Sequence, residues 1–450
     1  MRLARHAGRQ RLPTIVRVLL GASFVSDVGS GLTLPFLLIY LHQVRHVSLE
    51  VTGLLIGLLA VVGLPVGAAT GALVDRLGVR TIAVLALGLN ALGAASLVLA
   101  HSTASAVGPM LLFGLGSGMS WPAWFALLSV VARERDRPRL FALNFQLLNL
   151  GLGIGSVIAG LAVHVADPGS FVAIYLADAG TTIVVAVVLM LLPARTFSIV
   201  EESPASVKET PAPLPGADPP ASRDEASTPS TGRGGYRQVL SDRRMRRFLV
   251  TTTVLALAGY GAINAGLVGY ATTVVHVTPR TISVAFAANT AFIVAAQPLG
   301  LRVVRLMRRT TALSLVAAFF AGSWVMLWLA GFWPRSTVGD AVTVGMFVVF
   351  AAGEVLLSPV QGPLVNEFAP PELRGRYNAA STTVYSLASV VSPAVAGIML
   401  GASLGPEYLG LLVACCVGCV FGFGWLRAIL TPDEDQAPGR DRELETAPTP

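Results

Sequence analysis

Only one of the 32 basic residues in this 450-residue chain is a lysine, Lys208, and charged residues of every kind make up just 13% of it. A primary pump needs a phosphate-binding loop of the form Gly-x-x-x-x-Gly-Lys-Ser/Thr. With the single lysine set between Val207 and Glu209, no such loop occurs. Cysteine is equally scarce. Cys415, Cys416 and Cys419 share one apolar run with no His or acidic residue close by, which reads as packing, not as a disulfide or metal site. The six histidines are scattered, so spacing assembles neither a metal cluster nor a nucleophile–base pair, and no enzyme is expected. The net charge of +7 is spread over alternate loops instead of forming a basic patch with aromatic interleaving, which argues against a nucleic-acid partner.

What fills the chain instead is apolar sequence: 54% hydrophobic residues and a mean hydropathy of +0.69, a membrane composition. Twelve runs are long enough to cross a bilayer as helices, six between residues 14 and 192 and six between 248 and 430. Arginines cluster on every second loop (Arg76 and Arg80; Arg133, Arg135, Arg137 and Arg139; Arg243, Arg244, Arg246 and Arg247), whereas the opposite loops carry Arg45, Arg280 and Arg335. By the positive-inside rule both termini are expected in the cytoplasm, with the protein in the plasma membrane. The first run is too long for a signal peptide and is read as a retained helix. Residues 194–244 turn abruptly to Pro, Ser, Thr, Glu and Gly, the composition of a disordered cytoplasmic linker, and 431–450 read as a similar tail. The expected domains are therefore a first bundle over 1–193 and a second over 245–430.

Between two uncharged runs lies the turn Gly71-Ala72-Leu73-Val74-Asp75-Arg76-Leu77-Gly78-Val79-Arg80. A degraded copy follows at 300–310, where Gly300, Val303, Arg305, Leu306, Arg309 and Thr310 repeat Gly71, Val74, Arg76, Leu77, Arg80 and Thr81. A shift of 237 positions superposes Phe113 on Phe350, Pro122 on Pro359, Arg137 on Arg374 and Gly160 on Gly397. A shift of 230 puts Gly29, Gly31, Leu37 and Tyr40 on Gly259, Gly261, Leu267 and Tyr270. Two copies of six helices, each entering from the same side, are parallel repeats about an axis along the membrane normal. The turn's pattern, Gly-x-Leu-x-Asp-Arg-x-Gly-x-Arg, resembles the loop between the second and third helices of the major facilitator superfamily of secondary transporters. That resemblance implies an all-α membrane protein of twelve transmembrane helices in two pseudo-symmetric six-helix bundles, a monomer. It also implies a cytoplasmic gate built from Gly71, Asp75, Arg76, Gly78 and Arg80, with Asp75 as latch.

Acids inside apolar spans mark candidate sites, since a charge at the bilayer centre costs roughly 2.5–3.5 kcal/mol. Asp27 shares a helical face with Ser23 and Ser30, and Glu354 shares one with Ser358 and Gln361. Both are candidates for proton coupling or for binding a cation. Asp178 is expected to be structural. Further polar candidates are Asn144, Asn149, Asn264, Asn289 and Tyr385, while Trp121 and Trp124 offer aromatic faces for a flat substrate or, as aromatics more often do in a membrane protein, serve as interfacial anchors or packing. The stretch from Gly151 to Gly160 is similar to the glycine-rich signature of proton-driven drug antiporters at Gly155 and Gly160, with Ser156 in place of Pro and Ala159 in place of Gly. Gly151, Gly155 and Gly160, together with Pro393 and Gly397 of the second copy, make a helix-packing motif. Met110 stands where that branch carries an Arg. The expected function is secondary transport by alternating access, driven by a proton gradient with no bound cofactor. Export of a small amphiphilic or cationic molecule is the leading expectation; import or facilitated movement of a polar metabolite is the alternative.

Overall fold

A computed structural model describes residues 13–131, 137–193, 234–370 and 373–436. Among these residues eleven helices are long and apolar enough to span a membrane, and a broken helix supplies a twelfth. In chain order they are α1 (Thr14–Val44), α2 (Leu49–Leu77), α3 (Val79–Leu99), α4 (Thr103–Val131), α5 (Arg137–Ala162), α6 (Pro168–Leu191), α7 (Arg243–Ala262 plus Ala265–Val275), α8 (Pro279–Leu306), α9 (Arg309–Ala330), α10 (Thr337–Phe368), α11 (Arg374–Gly401) and α12 (Gly405–Arg427). The short loops force neighbours to run antiparallel, so both described chain ends emerge on one face, here the terminal face; the other is the distal face. Short polar side chains start several spans by accepting free N–H groups: Ser48 from Val51, Asp167 from Gly169, Asp242 from Arg244 and Ser336 from Gly339. Two expectations need correcting. A short helix, Gly234–Ser241, and the start of α7 occupy the end of the expected linker, and another, Pro432–Asp435, opens the expected tail with Asp435 buried. Polar composition concealed both, because their order comes from partners in distant spans.

The internal repeat is visible atom by atom. α1 ends in a π-turn, Tyr40–Val44, and α7 in another, Ala271–Val275. Val47 N–H donates to Leu41 C=O and Val277 N–H to Ala271 C=O, an offset of 230 in both donor and acceptor. His46 and His276, again 230 apart, take the left-handed conformation at φ 55° and 61° that reverses the chain. The charged turns also correspond. Arg80 donates to Met190 C=O at the end of α6, and Arg309 donates to Glu434 C=O just past α12, so each arginine ties the third helix of its bundle to the sixth.

The bundles meet through small residues in their distal halves. Pro393 C=O and the Gly397 backbone of α11 lie where a side chain on Gly53 of α2 would go, and Val390 C=O faces Gly57. Gly160 of α5 packs on Ser283 of α8, and Gly153 on Thr290. Backbones approach this closely only where Cβ atoms are missing. Within the first bundle, Gly151 packs on Asp27 and Gly155 on Val28 and Gly31 of α1. The glycine-rich stretch of α5 thus presents one edge to its own bundle and another to the opposite one.

Candidate functional site

Beneath the distal contact, between the bundles, lies a cavity of about 390 Å³. Its walls are Leu34 and Leu37 of α1; Ile56, Leu59 and Ala60 of α2; Tyr260, Gly261 and Ile263 of α7; and Tyr385, Ser389 and Pro393 of α11. Aliphatic side chains form one wall and two tyrosines the other, a lining that suits a flat, largely apolar ligand with a few polar contacts. Irregular backbone shapes both walls. In α1, Pro35 lacks an N–H, and Leu34–Phe36 tighten into a 3₁₀ turn.

The break in α7 is larger. Gly259 leaves the helical region (φ −106°, ψ −101°), and a few residues on, between Ala262 and Ala265, the two parts of the span meet at 52°. The carbonyls freed by the break find side-chain donors: Leu257 C=O accepts from Ser392 Oγ at 2.6 Å and Ala258 C=O from Trp324 Nε1 at 2.7 Å. In hydrocarbon such substitutes are required, because no water reaches the backbone. Glycine is needed at the break: a Cβ there would lie 2.7 Å from Phe320 Cε2 and 2.9 Å from Leu255 C=O. Trp324→Phe removes the donor to Ala258 and leaves a gap in a buried cluster. It is expected to lower stability by at least about 1–3 kcal/mol, read as a fall in melting temperature of the detergent-purified protein.

The break places Tyr260 against Glu354. The Tyr260 hydroxyl faces the Glu354 carboxylate, and Asn289 Nδ2 of α8 donates to Glu354 Oε2 at 2.8 Å. The Tyr260 ring is held edge-on by Phe320, Phe350 and Tyr385, at centroid distances of 6.2, 6.2 and 5.8 Å. Its remaining side is cavity wall. Among the described residues no cation pairs with Glu354. Tyr385, which also lines the cavity, donates to Gln361 Oε1, and Gln361 Nε2 donates to Ser381 Oγ at 3.3 Å.

Other residues singled out by the sequence lie elsewhere. Asp27 is half-buried between α1 and α5, accepts from Ser23 Oγ at 3.3 Å, and like Glu354 is absent from the cavity lining, so the two acids do not share that wall. Asp178 is buried and accepts from Thr33 Oγ1 at 2.8 Å, joining α6 to α1. Asn144 accepts from Trp124 Nε1 at 3.0 Å within the first bundle, and Asn149 donates to Phe145 C=O of its own helix. The side chain of Asn264 lies outside the described residues. Asp75 is exposed at the end of α2, with no hydrogen bond or ion pair among the described residues, while Gly78 turns the chain into α3 at φ 84°. Tyr260 and Trp324 escaped sequence reasoning. The signal for Tyr260 is Gly259-Tyr260-Gly261, a tyrosine between two glycines that the repeat matches to Gly29 and Gly31.

Known proteins agree with this architecture. The model of the Major Facilitator Superfamily matches residues 19–393 and 249–450. The chain is 22% identical over 393 residues to the uncharacterized MFS-type transporter YttB of Bacillus subtilis, covering 86% of this chain and 89% of that protein. It is 23% identical over 420 residues to the uncharacterized MFS-type transporter YdeE of Escherichia coli, covering 89% and 92%. The multidrug resistance protein MdtH of Aeromonas hydrophila is 27% identical over 214 residues, 47% of this chain and 45% of that one. Among solved structures, a POT family transporter in complex with 5-aminolevulinic acid superposes with a TM-score of 0.69 at 14% identity, over 93% of this chain and 96% of that one. A D-xylose-proton symporter does so with a TM-score of 0.64 at 12% identity, over 90% and 97%. Twelve helices in two repeated bundles, a cavity where they meet and a family match along nearly the whole chain lead to one conclusion: this protein belongs to the Major Facilitator Superfamily and is a multi-pass membrane transporter, not an enzyme.

Proposed function

We propose that the protein exports a small amphiphilic or cationic molecule in exchange for protons, by alternating access to the cavity between its bundles. The observation that carries this reading is Glu354: a part-buried carboxyl group in mid-span with no counter-cation among the described residues, which accepts from Asn289 and lies beside Tyr260 of the cavity wall. An acid so placed is a proton-relay candidate by default, because the proton is the cation available to neutralise it. Asp27, half-buried in the first bundle, is a second acid for the same cycle. The aliphatic and tyrosine walls favour a substrate with a flat apolar body. Export draws support from the likeness to a multidrug resistance protein over about half of the chain.

The orientation follows from charge. Arg76, Arg80, Arg243, Arg244, Arg302, Arg305 and Arg308 lie at the terminal face, against Arg45, Arg280 and Arg335 at the distal one. The positive-inside rule then puts the termini in the cytoplasm of a plasma-membrane protein and makes the distal contact an extracellular closure. The cavity in this conformation serves the inward-facing half of the cycle, and the monomer is a complete transport unit.

The test uses liposomes containing the purified protein under an imposed pH gradient, with ethidium and tetraphenylphosphonium as probes. Wild type is expected to move a probe against proton flow, and Glu354→Gln to cut the rate of this coupled movement at least about tenfold, a rise of about 1.4 kcal/mol in the barrier of the rate-limiting step. Coupled movement retained in Glu354→Gln and lost in Asp27→Asn would transfer the proton role to Asp27. Probe counterflow without proton movement would replace antiport with facilitated diffusion.

A further inference from the structure

We infer that the outer groove between α7 and α12, at the terminal face, binds an anionic phospholipid: arginines at its rim hold the phosphate, and apolar side chains below them hold an acyl chain. The site depends neither on Glu354 as proton carrier nor on the direction of transport. Helical spacing assembles it. Arg243, Arg247 and Val250 follow one another at four and three residues on one face of α7, with Arg246 beside them. On α12, Val417, Phe421 and Trp425 recur every four residues and are all exposed, Phe421 at 73%. Arg247 joins the two stripes: its Nη1 donates to Trp425 C=O at 2.5 Å, and its guanidinium lies 4.2 Å over the Trp425 ring. The helices meet at Gly422, where a Cβ would lie 2.7 Å from Thr251 Oγ1, so the outward stripes flank a tight seam. The short helix Gly234–Ser241 extends the rim. Arg246 Nη1 donates to Leu240 C=O at 3.3 Å, and Arg237 and Leu240, one turn apart, are both exposed. An exposed leucine among arginines is the pattern of a segment lying at the headgroup layer.

Charge selects the ligand. The acids nearby are engaged by the inner arginines: Arg244 pairs with Asp242 and Glu434, and Arg309 approaches Glu367. Among the described residues Arg243, Arg246 and Arg247 pair with no carboxylate. A guanidinium fork matches the oxygens of a phosphate, and even Arg247 keeps N–H groups beyond the one given to Trp425. A zwitterionic headgroup brings its own cation to this positive rim, whereas an anionic one neutralises it. The apolar stripe decides between a lipid and a free phosphate. Val250, Phe421 and Val417 lie on the hydrocarbon side of the arginines, where an acyl chain covers them and inorganic phosphate does not. Trp425, between the two zones, sits as an interfacial aromatic does.

Native mass spectrometry of the detergent-purified protein with added phosphatidylglycerol or phosphatidylcholine tests the site. Wild type is expected to retain phosphatidylglycerol at least about tenfold more than phosphatidylcholine, since each arginine near the headgroup layer favours an anionic lipid. The double variant Arg243→Gln, Arg246→Gln leaves the bond between Arg247 and Trp425 in place, so it is expected to melt as wild type does but to lose that preference. A second double variant, Arg302→Gln, Arg305→Gln, removes the same charge from exposed positions at the end of α8 and is expected to keep it. Equal retention of the two lipids by wild type overturns the site. Loss of the preference in both double variants does so too, leaving a general attraction of a positive face, as does its persistence in both. Displacement of phosphatidylglycerol by an equal concentration of inorganic phosphate would overturn the lipid and leave a phosphate site.

Discussion

Gly53→Leu is expected to abolish transport while leaving a folded, membrane-inserted protein. The backbones of α2 and α11 touch at this point: Gly397 Cα would lie 2.8 Å from a Cβ on Gly53, and Pro393 C=O closer still. Both obstacles are backbone, which no rotamer change can move aside. An isobutyl group there wedges the bundles apart at the distal face but does not disturb the hydrogen bonds inside either bundle. Transport should fall at least about a hundredfold, or about 2.7 kcal/mol, with expression and melting temperature close to wild type. The check is labelling of a cysteine introduced at Ser389 by a membrane-impermeant reagent added from outside: faster in Gly53→Leu than in the parent. Normal transport in a well-expressed Gly53→Leu would remove the distal contact from the cycle.

Asp435→Ala is expected to destabilise the second bundle specifically. The Asp435 carboxylate, buried at 2% exposure, accepts from the backbone N–H and the hydroxyl of Thr310, both at 2.8 Å, and so caps the start of α9 from beyond α12. Beside it, Arg309 donates to Glu434 C=O at 3.1 Å and approaches Glu367 at 3.8 Å, while Arg244 pairs with Glu434 and Asp242. The short terminal helix therefore ties α7, α9 and α10 together at one face. Removing the carboxylate leaves two buried donors unpaired, a cost of about 1–3 kcal/mol, seen as a lower melting temperature. Truncation after Leu430 should do at least as much.

The same cluster gives stability a pH dependence. Burial pulls the Glu434 carboxyl upward, but hydrogen bonds from Thr431 and the charge and hydrogen bond of Arg244 outweigh it and hold the group below its ordinary value of 4.5. A carboxyl depressed by folding stabilises fully above its unfolded value, and the contribution disappears as pH falls through the folded one. The melting temperature is expected to stay level with pH down to about 5 as far as this group is concerned, then to drop. Glu434→Gln should flatten that drop.

Much of the site was legible one residue at a time but not as an arrangement. Glu354 stood out because an acid in an apolar span is costly wherever it sits, and Asp27 for the same reason. That Glu354 lies beside Tyr260 of the cavity wall, while Asp27 lies between α1 and α5 and away from that wall, depends on how the bundles dock, which no local pattern encodes. Asn289 was visible as a polar residue, its partner 65 positions away was not. The tail at Thr431–Asp435 reads as solvent-loving sequence because its acids are polar in isolation, yet Asp435 is buried against Thr310 and Glu434 pairs with Arg244.

The amino-acid sequence by itself determined the class of this protein. Long apolar runs must cross a bilayer as helices because backbone polar groups have no other partner there, and a repeat of glycines, prolines and arginines makes two like bundles. What only the tertiary structure decided is the chemistry at their meeting point. The irregular backbone at Gly259 in α7 is sustained by Trp324 and Ser392, far along the chain, which supply the hydrogen bonds the helix lacks there. It is this long-range compensation, invisible to any local pattern, that sets Tyr260 in the cavity wall beside Glu354.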